Sequence, residues 1–215
     1  MIKRTAKMRI VKTAEERKNE ILNVAEQLFA EKGFDNASTN DIIKRIGIAR
    51  GTLYHHFGSK EEILDALVER MTRDAIARSK AVVSDKSQPL LDRLTGAIIA
   101  LDINDGAGPE VFVQIHKPQN ALLHQKMQKR LINGVVPLIS ELIKEGNETG
   151  TFDSKYPDEA AEMIIIYSNI AFDELAGLTD EQLIQKSQAF ICHTERILGA
   201  AEGSLAPAIM KILNN

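Results

Sequence analysis

The sequence holds a single cysteine, Cys192. No disulfide can form within the chain, and a reducing cytoplasm fits that usage. No stretch of about twenty apolar residues runs uninterrupted, so no membrane span is expected. The start, MIKRTAKMRIVK, is basic but lacks the apolar core of a signal peptide. Catalytic signatures are missing too: there is no Gly-rich phosphate loop, no nucleophile elbow and no HExxH pair. Cys192 and His193 are adjacent, and neighbours on a helix point about 100° apart, which does not make a nucleophile–base pair. The scattered carboxylates read as a solvated helical face. No catalytic residue, metal or cofactor is expected, and the chain does not read as an enzyme. Repeats, low-complexity tracts and persuasive strands are also lacking.

A large excess of one charge is missing, since the formal net charge is only -3. Its distribution is uneven. Residues 1–60 hold 12 Lys/Arg against 7 Asp/Glu, and residues 61–215 hold 15 against 23. A basic head on an acidic body suggests that the head faces a polyanion. At 215 residues the chain can bury a real core, as one large domain or two small ones.

The most informative stretch runs from Asn36 to Leu64. Ser38 and Asp41 have the spacing of a capping box. Asp41 to Ile46 then gives a helix of about two turns, Gly47 supplies the freedom for a sharp turn, and a second helix opens at Ala49 or Arg50. Leu53 and Phe57, four apart, share its buried face. Arg50, Thr52, Tyr54, His55 and His56 occupy the others, and Gly51 lets a backbone come close. Helix, tight turn, helix is the shape that places its second helix in a DNA major groove. Ser59 with Glu62 caps a further helix, whose first turn carries Lys60, suited to a phosphate.

The run from Gly51 to Leu64, GTLYHHFGSKEEIL, resembles the signature of the TetR family of bacterial transcriptional regulators, and Ile21 to Phe34 resembles that family's first helix. The resemblance covers roughly residues 14–66. Ala49 stands where the family usually has Ser or Thr, and Ile43 and Ile46 replace commoner alanines. These departures bear on the recognition-helix cap and the packing angle. The resemblance implies an all-α fold: an N-terminal three-helix helix-turn-helix head, residues 1–58, joined by a long helix to a C-terminal helical ligand-binding and dimerisation domain, residues 59–215. It implies a homodimeric repressor that binds a palindromic double-stranded operator and is released by a small-molecule effector. The alternative is a constitutive or architectural DNA-binding regulator without an effector. Expected DNA contacts are Thr39, Arg50, Gly51, Thr52, Tyr54, His55, His56 and Lys60.

Along the rest of the chain, Lys3, Arg4, Lys7, Arg9 and Lys12 read as a solvated tail, or as an arm adding phosphate or minor-groove contacts. Thr13 and Glu16 box the first helix, which Gly33 stops. A helix from Ser59 toward Ser84 carries Ile63, Leu64, Leu67, Val68, Met71, Ala75 and Ile76 on one stripe, and it would transmit any tilt from body to head. Further helices are expected over about Pro89–Ile103, from Pro109 to Ile115, from Asn120 to about Glu145 with Pro137 inside, from Pro157 to Gly177, from Thr179 to about Leu198, and a short one from Ser204 or Pro207. His116 and His124 lack the third ligand a metal site needs. With Phe112, Asn120, Met127, Tyr167 and Asn169 they mix apolar and polar character, as a small-molecule cavity does and as ordinary packing also does. The apolar run around Ile165, Ile166 and Phe172 serves either a core helix or a dimer interface; by position its helix and the one from Thr179 resemble the family's dimer-forming pair.

Overall fold

The computed structural model of the chain describes residues 12–102, 109–172 and 177–213. Among them there are helices and turns and no strand. The α-helices are α1 (Ala14–Lys32), α2 (Thr39–Ile46), α3 (Arg50–His56), α4 (Lys60–Ser84), α5 (Leu90–Ile99), α6 (Pro109–Ile115), α7 (Ala121–Thr149), α8 (Pro157–Ala171), α9 (Asp180–Leu198) and α10 (Ala206–Leu213). A 3₁₀ turn, Pro118–Asn120, precedes α7. The basic tail before Lys12, the loop at 104–108, and Leu175 and Ala176 lie outside the described residues.

The contacts divide the chain into two compact units. One runs through Leu67 and includes the start of α6 up to Val111; the other holds the remainder. The first turns of α4, with the buried Ile63, Leu64 and Leu67, fall in the first unit.

The first unit is built from local signals that work as read. Thr13 and Glu16 close a capping box on α1, and Ser38 and Asp41 close one on α2. Gly47 ends α2 in the left-handed conformation, φ 75° and ψ 35°, which a side chain would disfavour. The core gathers Ile21, Leu22, Ala25, Leu28 and Phe29 from α1, Ile42 from α2, and Leu53 and Phe57 at α3. Phe34 folds back on Phe29 edge to face, 5.0 Å between ring centres. Full burial of each such side chain stabilises by about 1.5–3 kcal/mol, which is how so short a head holds together. Glu110 accepts a hydrogen bond from the Phe34 backbone N–H at 3.1 Å, tying the start of α6 into this unit.

In the second unit α5, α7, α8, α9 and α10 surround a core that includes Ala97, Ile139, Leu142, Ile143, Phe152, Ala161, Ile165, Leu198 and Ile209. Arg93, 2% exposed, donates to the Val83 and Gln88 carbonyls at 3.1 and 3.2 Å and pairs with Glu145 of α7. Val83 lies in the last turn of α4, where carbonyls have no partner within the helix. The arginine and Lys86 beside it hold the Glu145 carboxyl down to about 2. Thr179 and Gln182 box α9 as expected.

Three helix ends differ from the sequence reading. α7 does not stop at Gly146 but continues to Thr149, with Gly150 as its left-handed cap. Gly146 is small because the Phe152 ring lies where its side chain would be. α8 ends at Ala171 rather than at Gly177, and α5 ends at Ile99 rather than at Ile103.

Candidate nucleic-acid interface

Leu53, fully buried, and Phe57, 4% exposed, fix α3 to the head and so decide which of its side chains face solvent. Arg50, Gly51, Tyr54 and His55 are exposed; Thr52 and His56 are half-buried. Arg50 lies 5.3 Å from the centre of the Tyr54 ring, and the Tyr54 and Thr39 hydroxyls are 3.3 Å apart. Thr39 opens α2, so this contact links the first turn of one motif helix to the middle of the other. Hydrogen bonds from Thr39 and then Arg50 hold the Tyr54 phenol below its ordinary value. A side chain added at Gly51 would meet nothing within 4 Å, which leaves the backbone open to an incoming surface.

The imidazoles of His55 and His56 meet edge to face at 5.2 Å. Burial first, then the positive neighbours His55, Arg17 and Lys18, push His56 below its usual 6.5. Both causes favour its neutral form, in which the ring has one donor and one acceptor. Ala49 is extended and makes no side-chain cap, so the departure at this position leaves α3 with an uncapped first turn.

Lys60 is placed differently from the sequence reading. Its ammonium donates to the carbonyls of Phe34 at 2.6 Å, Ala37 at 3.1 Å and Asp35 at 3.3 Å, and lies 4.3 Å from the Phe34 ring centre. An ammonium has three protons, and all three have an acceptor within the head. A phosphate contact would have to displace one of them. Arg45 is also engaged, in a two-pronged pair with Glu31 at 2.8 Å that joins α2 to α1. Glu62 accepts from the Gly58 N–H rather than from the Ser59 N–H, so the cap on α4 is offset by one residue from a standard box.

A model for bacterial regulatory proteins of the tetR family matches residues 21–67, and one for a tetracyclin repressor-like C-terminal domain matches residues 108–192. The chain belongs to the TetR family. The HTH-type transcriptional repressor KstR2 of Mycobacterium tuberculosis is 37% identical over 92 residues, 43% of this chain and 46% of that protein. The regulator UidR of Escherichia coli K12 is 35% identical over 88 residues, 41% and 44% of the two. The chain thus spans under half the length of the curated relatives it matches. Solved TetR-family structures share the fold at low identity. A regulator from Pectobacterium atrosepticum superposes with TM-score 0.60 at 21% identity over 88% of this chain and 96% of that one. RolR in complex with resorcinol gives 0.55 at 22%, over 93% and 94%.

In this TetR-family body, the residues proposed for a ligand fall in different places. Phe112, His116 and His124 form a ring ladder with centres 4.2 and 4.7 Å apart, and the His116 Nδ1 is 2.9 Å from the Phe112 carbonyl. Asn120 donates to the Gln114 carbonyl at 2.8 Å, and Met127 is buried. Tyr167 is exposed and stacks on Phe190. Asn169 alone of the seven lines a cleft, of about 480 Å³, between α5, α7, α8, α9 and α10.

Of the residues read for an interface, Ile165 is 8% exposed and belongs to the core of the second unit. Ile166 is half-buried, and Phe172 packs edge to face on Phe190 at 5.4 Å. The outward apolar residues are instead Met163, Tyr167 and Ile170 on α8, at the i, i+4, i+7 spacing of one stripe, with Ile184 on α9. Periodicity could have found that stripe, since 163, 167 and 170 are offset from the buried 160, 161 and 165. Among the described residues no three His, Cys, Asp or Glu side chains gather as metal ligands, and no helix is long and apolar enough to cross a membrane.

Proposed function

We propose that this chain is a homodimeric transcriptional regulator, a repressor that grips a two-fold operator through α3 and is released by a small molecule held in its helical body. The observation that carries the reading is the exposed Arg50–Tyr54–Thr39 cluster on a helix-turn-helix head. It presents a guanidinium and hydroxyls on a helix narrow enough for a major groove. Membership of the TetR family and the repressor name of KstR2 support transcriptional control rather than catalysis. The exposed stripe Met163–Tyr167–Ile170 supports dimerisation, since an apolar face at helical spacing is costly to leave in water. RolR, a solved structure of this fold, holds resorcinol, which supports an effector in the body.

The test is selection of bound duplexes from a random DNA pool by the full chain, followed by footprinting and sedimentation. A two-fold footprint on a dimer is expected. Arg50→Ala should weaken specific binding and reduce the salt slope by about one unit per head. Tyr54→Phe should weaken it less, by loosening the tie to Thr39. A monodisperse monomer without sequence-selective DNA binding would overturn the proposal.

A further inference from the structure

The basic side chains of the first unit sort by what already holds them. Lys12 and Arg17 share Glu20, the first at 2.6 Å. Lys32 pairs with Asp41 at 3.3 Å and Arg45 with Glu31 at 2.8 Å. Lys60 is taken by three carbonyls, and Arg50 lies over the Tyr54 ring. Among the described residues, Lys18 and Lys44 are left exposed, with no hydrogen bond or ion pair. The two differ in place. Lys44 stands about 140° round α2 from Thr39, the residue that touches Tyr54, and so points away from the exposed cluster on α3. Lys18 extends the buried stripe of Ile21, Leu22 and Ala25 by one turn toward the start of α1. There its charge, with that of Arg17, acts on His56, the last residue of α3. The charged neighbours of this half-buried ring are basic on both helices: Arg17 and Lys18 from α1, and from α3 the exposed His55, 5.2 Å away between ring centres. The carboxylates of that part of α1 are engaged elsewhere. Glu15 accepts from the Asn19 amide, Glu16 from the Thr13 N–H, and Glu20 from Lys12 and Arg17. A cluster of basic groups with no carboxylate free to offset it is a seat for an anion.

We infer that Lys18 of α1 and His56 of α3 together seat one phosphate of the duplex backbone, and that His56 gains a proton from the buffer as the phosphate arrives. The inference rests on the reading of the head as a DNA-binding domain and adds to its interface a residue outside the helix-turn-helix. The sign of the proton linkage follows from the neighbours. In the free head, burial and then the basic groups hold His56 below 6.5 and favour the neutral ring. A phosphate brings negative charge and favours the imidazolium. Affinity therefore rises as pH falls from the bound value toward the free one, by up to about tenfold per pH unit per head, and levels off once the free ring is charged as well.

The experiment measures the affinity of the full chain for one duplex, recovered by selection from a random pool, against salt at fixed pH and against pH at fixed salt. Lys18→Ala should lower the salt slope by about one unit per head, on the selected duplex and on an unrelated one alike, because a backbone contact carries no base preference. Lys44→Ala should leave the slope near that of the parent. His56→Gln keeps a side chain that can donate to a phosphate but cannot titrate, and it should flatten the pH dependence. Both lysines are exposed, so their variants should melt with the parent. An unchanged salt slope in Lys18→Ala overturns the seat. An equal loss in Lys44→Ala overturns it too, since a diffuse field would then account for both. A pH dependence that survives in His56→Gln gives the proton to another group and overturns the inference. Should that variant fail to fold, the parent decides: affinity independent of pH between about pH 5 and 8 overturns it. A parent that binds no duplex at low salt sinks the reading of the head itself, whereas a parent that binds DNA while Lys18→Ala keeps its slope sinks this site alone.

Discussion

Replacing Lys60 by methionine keeps the aliphatic stem over the Phe34 ring and removes the ammonium. The structure gives that ammonium three carbonyl partners, of which those of Phe34 and Ala37 are partly buried and that of Asp35 is exposed. Hydrogen bonds to a charged group contribute about 1.5–3 kcal/mol each when buried. Taking the lower end for the two sheltered bonds and little for the exposed one, with about 0.5 kcal/mol for the cation over the ring, gives a loss of about 3.5 kcal/mol. For a unit of this size that lowers the melting temperature by more than about ten degrees. The assay is thermal unfolding followed by circular dichroism, paired with DNA affinity measured against salt. The clamp predicts a large drop in stability, and a salt slope for the folded variant close to that of the parent. A variant that melts with the parent but loses about one unit of slope per head would refute the clamp and return Lys60 to the phosphate backbone.

Arg93→Ala should destabilise the chain by about 3 kcal/mol in urea titration, the low end for breaking a buried pair, because Lys86 still faces Glu145 at 2.6 Å. Since the folded Glu145 titrates near 2 against 4.5, its contribution is complete above pH 4.5 and is lost as pH falls through about 2; Glu145→Gln should flatten that part of the stability–pH curve. Ala49→Ser should stabilise the head by about 1 kcal/mol by supplying the missing cap, read as a rise in melting temperature. Gly146→Ala should cost about 2 kcal/mol despite alanine's better helix propensity, because the new methyl group meets the Phe152 ring; Gly146→Ala with Phe152→Leu should recover part of it.

What the sequence made legible was short in range. The three capping boxes at Thr13, Ser38 and Thr179 each close over three residues, so the pattern contains the whole interaction. Gly47 needed only its own φ. Glycine misled where it had a second use. Gly146 reads as a stop, yet α7 passes through it, because its lack of a side chain makes room for Phe152 from the following loop. The internal partners of Lys60 and Arg93 went unseen in the sequence for one reason. Their partners lie 23–26 and 52 residues away, and a lysine in the first turn of a helix carries no mark to say whether it turns inward or outward.

The same difference in range separates the two candidate sites. The solvent-facing side of α3 follows from two buried anchors, Leu53 and Phe57, four residues apart; once they point inward, Arg50, Tyr54 and His55 have nowhere to point but out. The body offers no such shortcut. Whether Asn169 is a satisfied core amide or an unpaired acceptor depends on the side chains that five helices bring to its end of α8, and of these only Ile165, Ser168 and Phe172 are near it in sequence. Tyr167, two residues earlier, looked equally suited to a ligand and instead stacks on Phe190 at the surface. A polar residue on an apolar helix becomes informative only when its partners can be counted, and Asn169 Oδ1 has none.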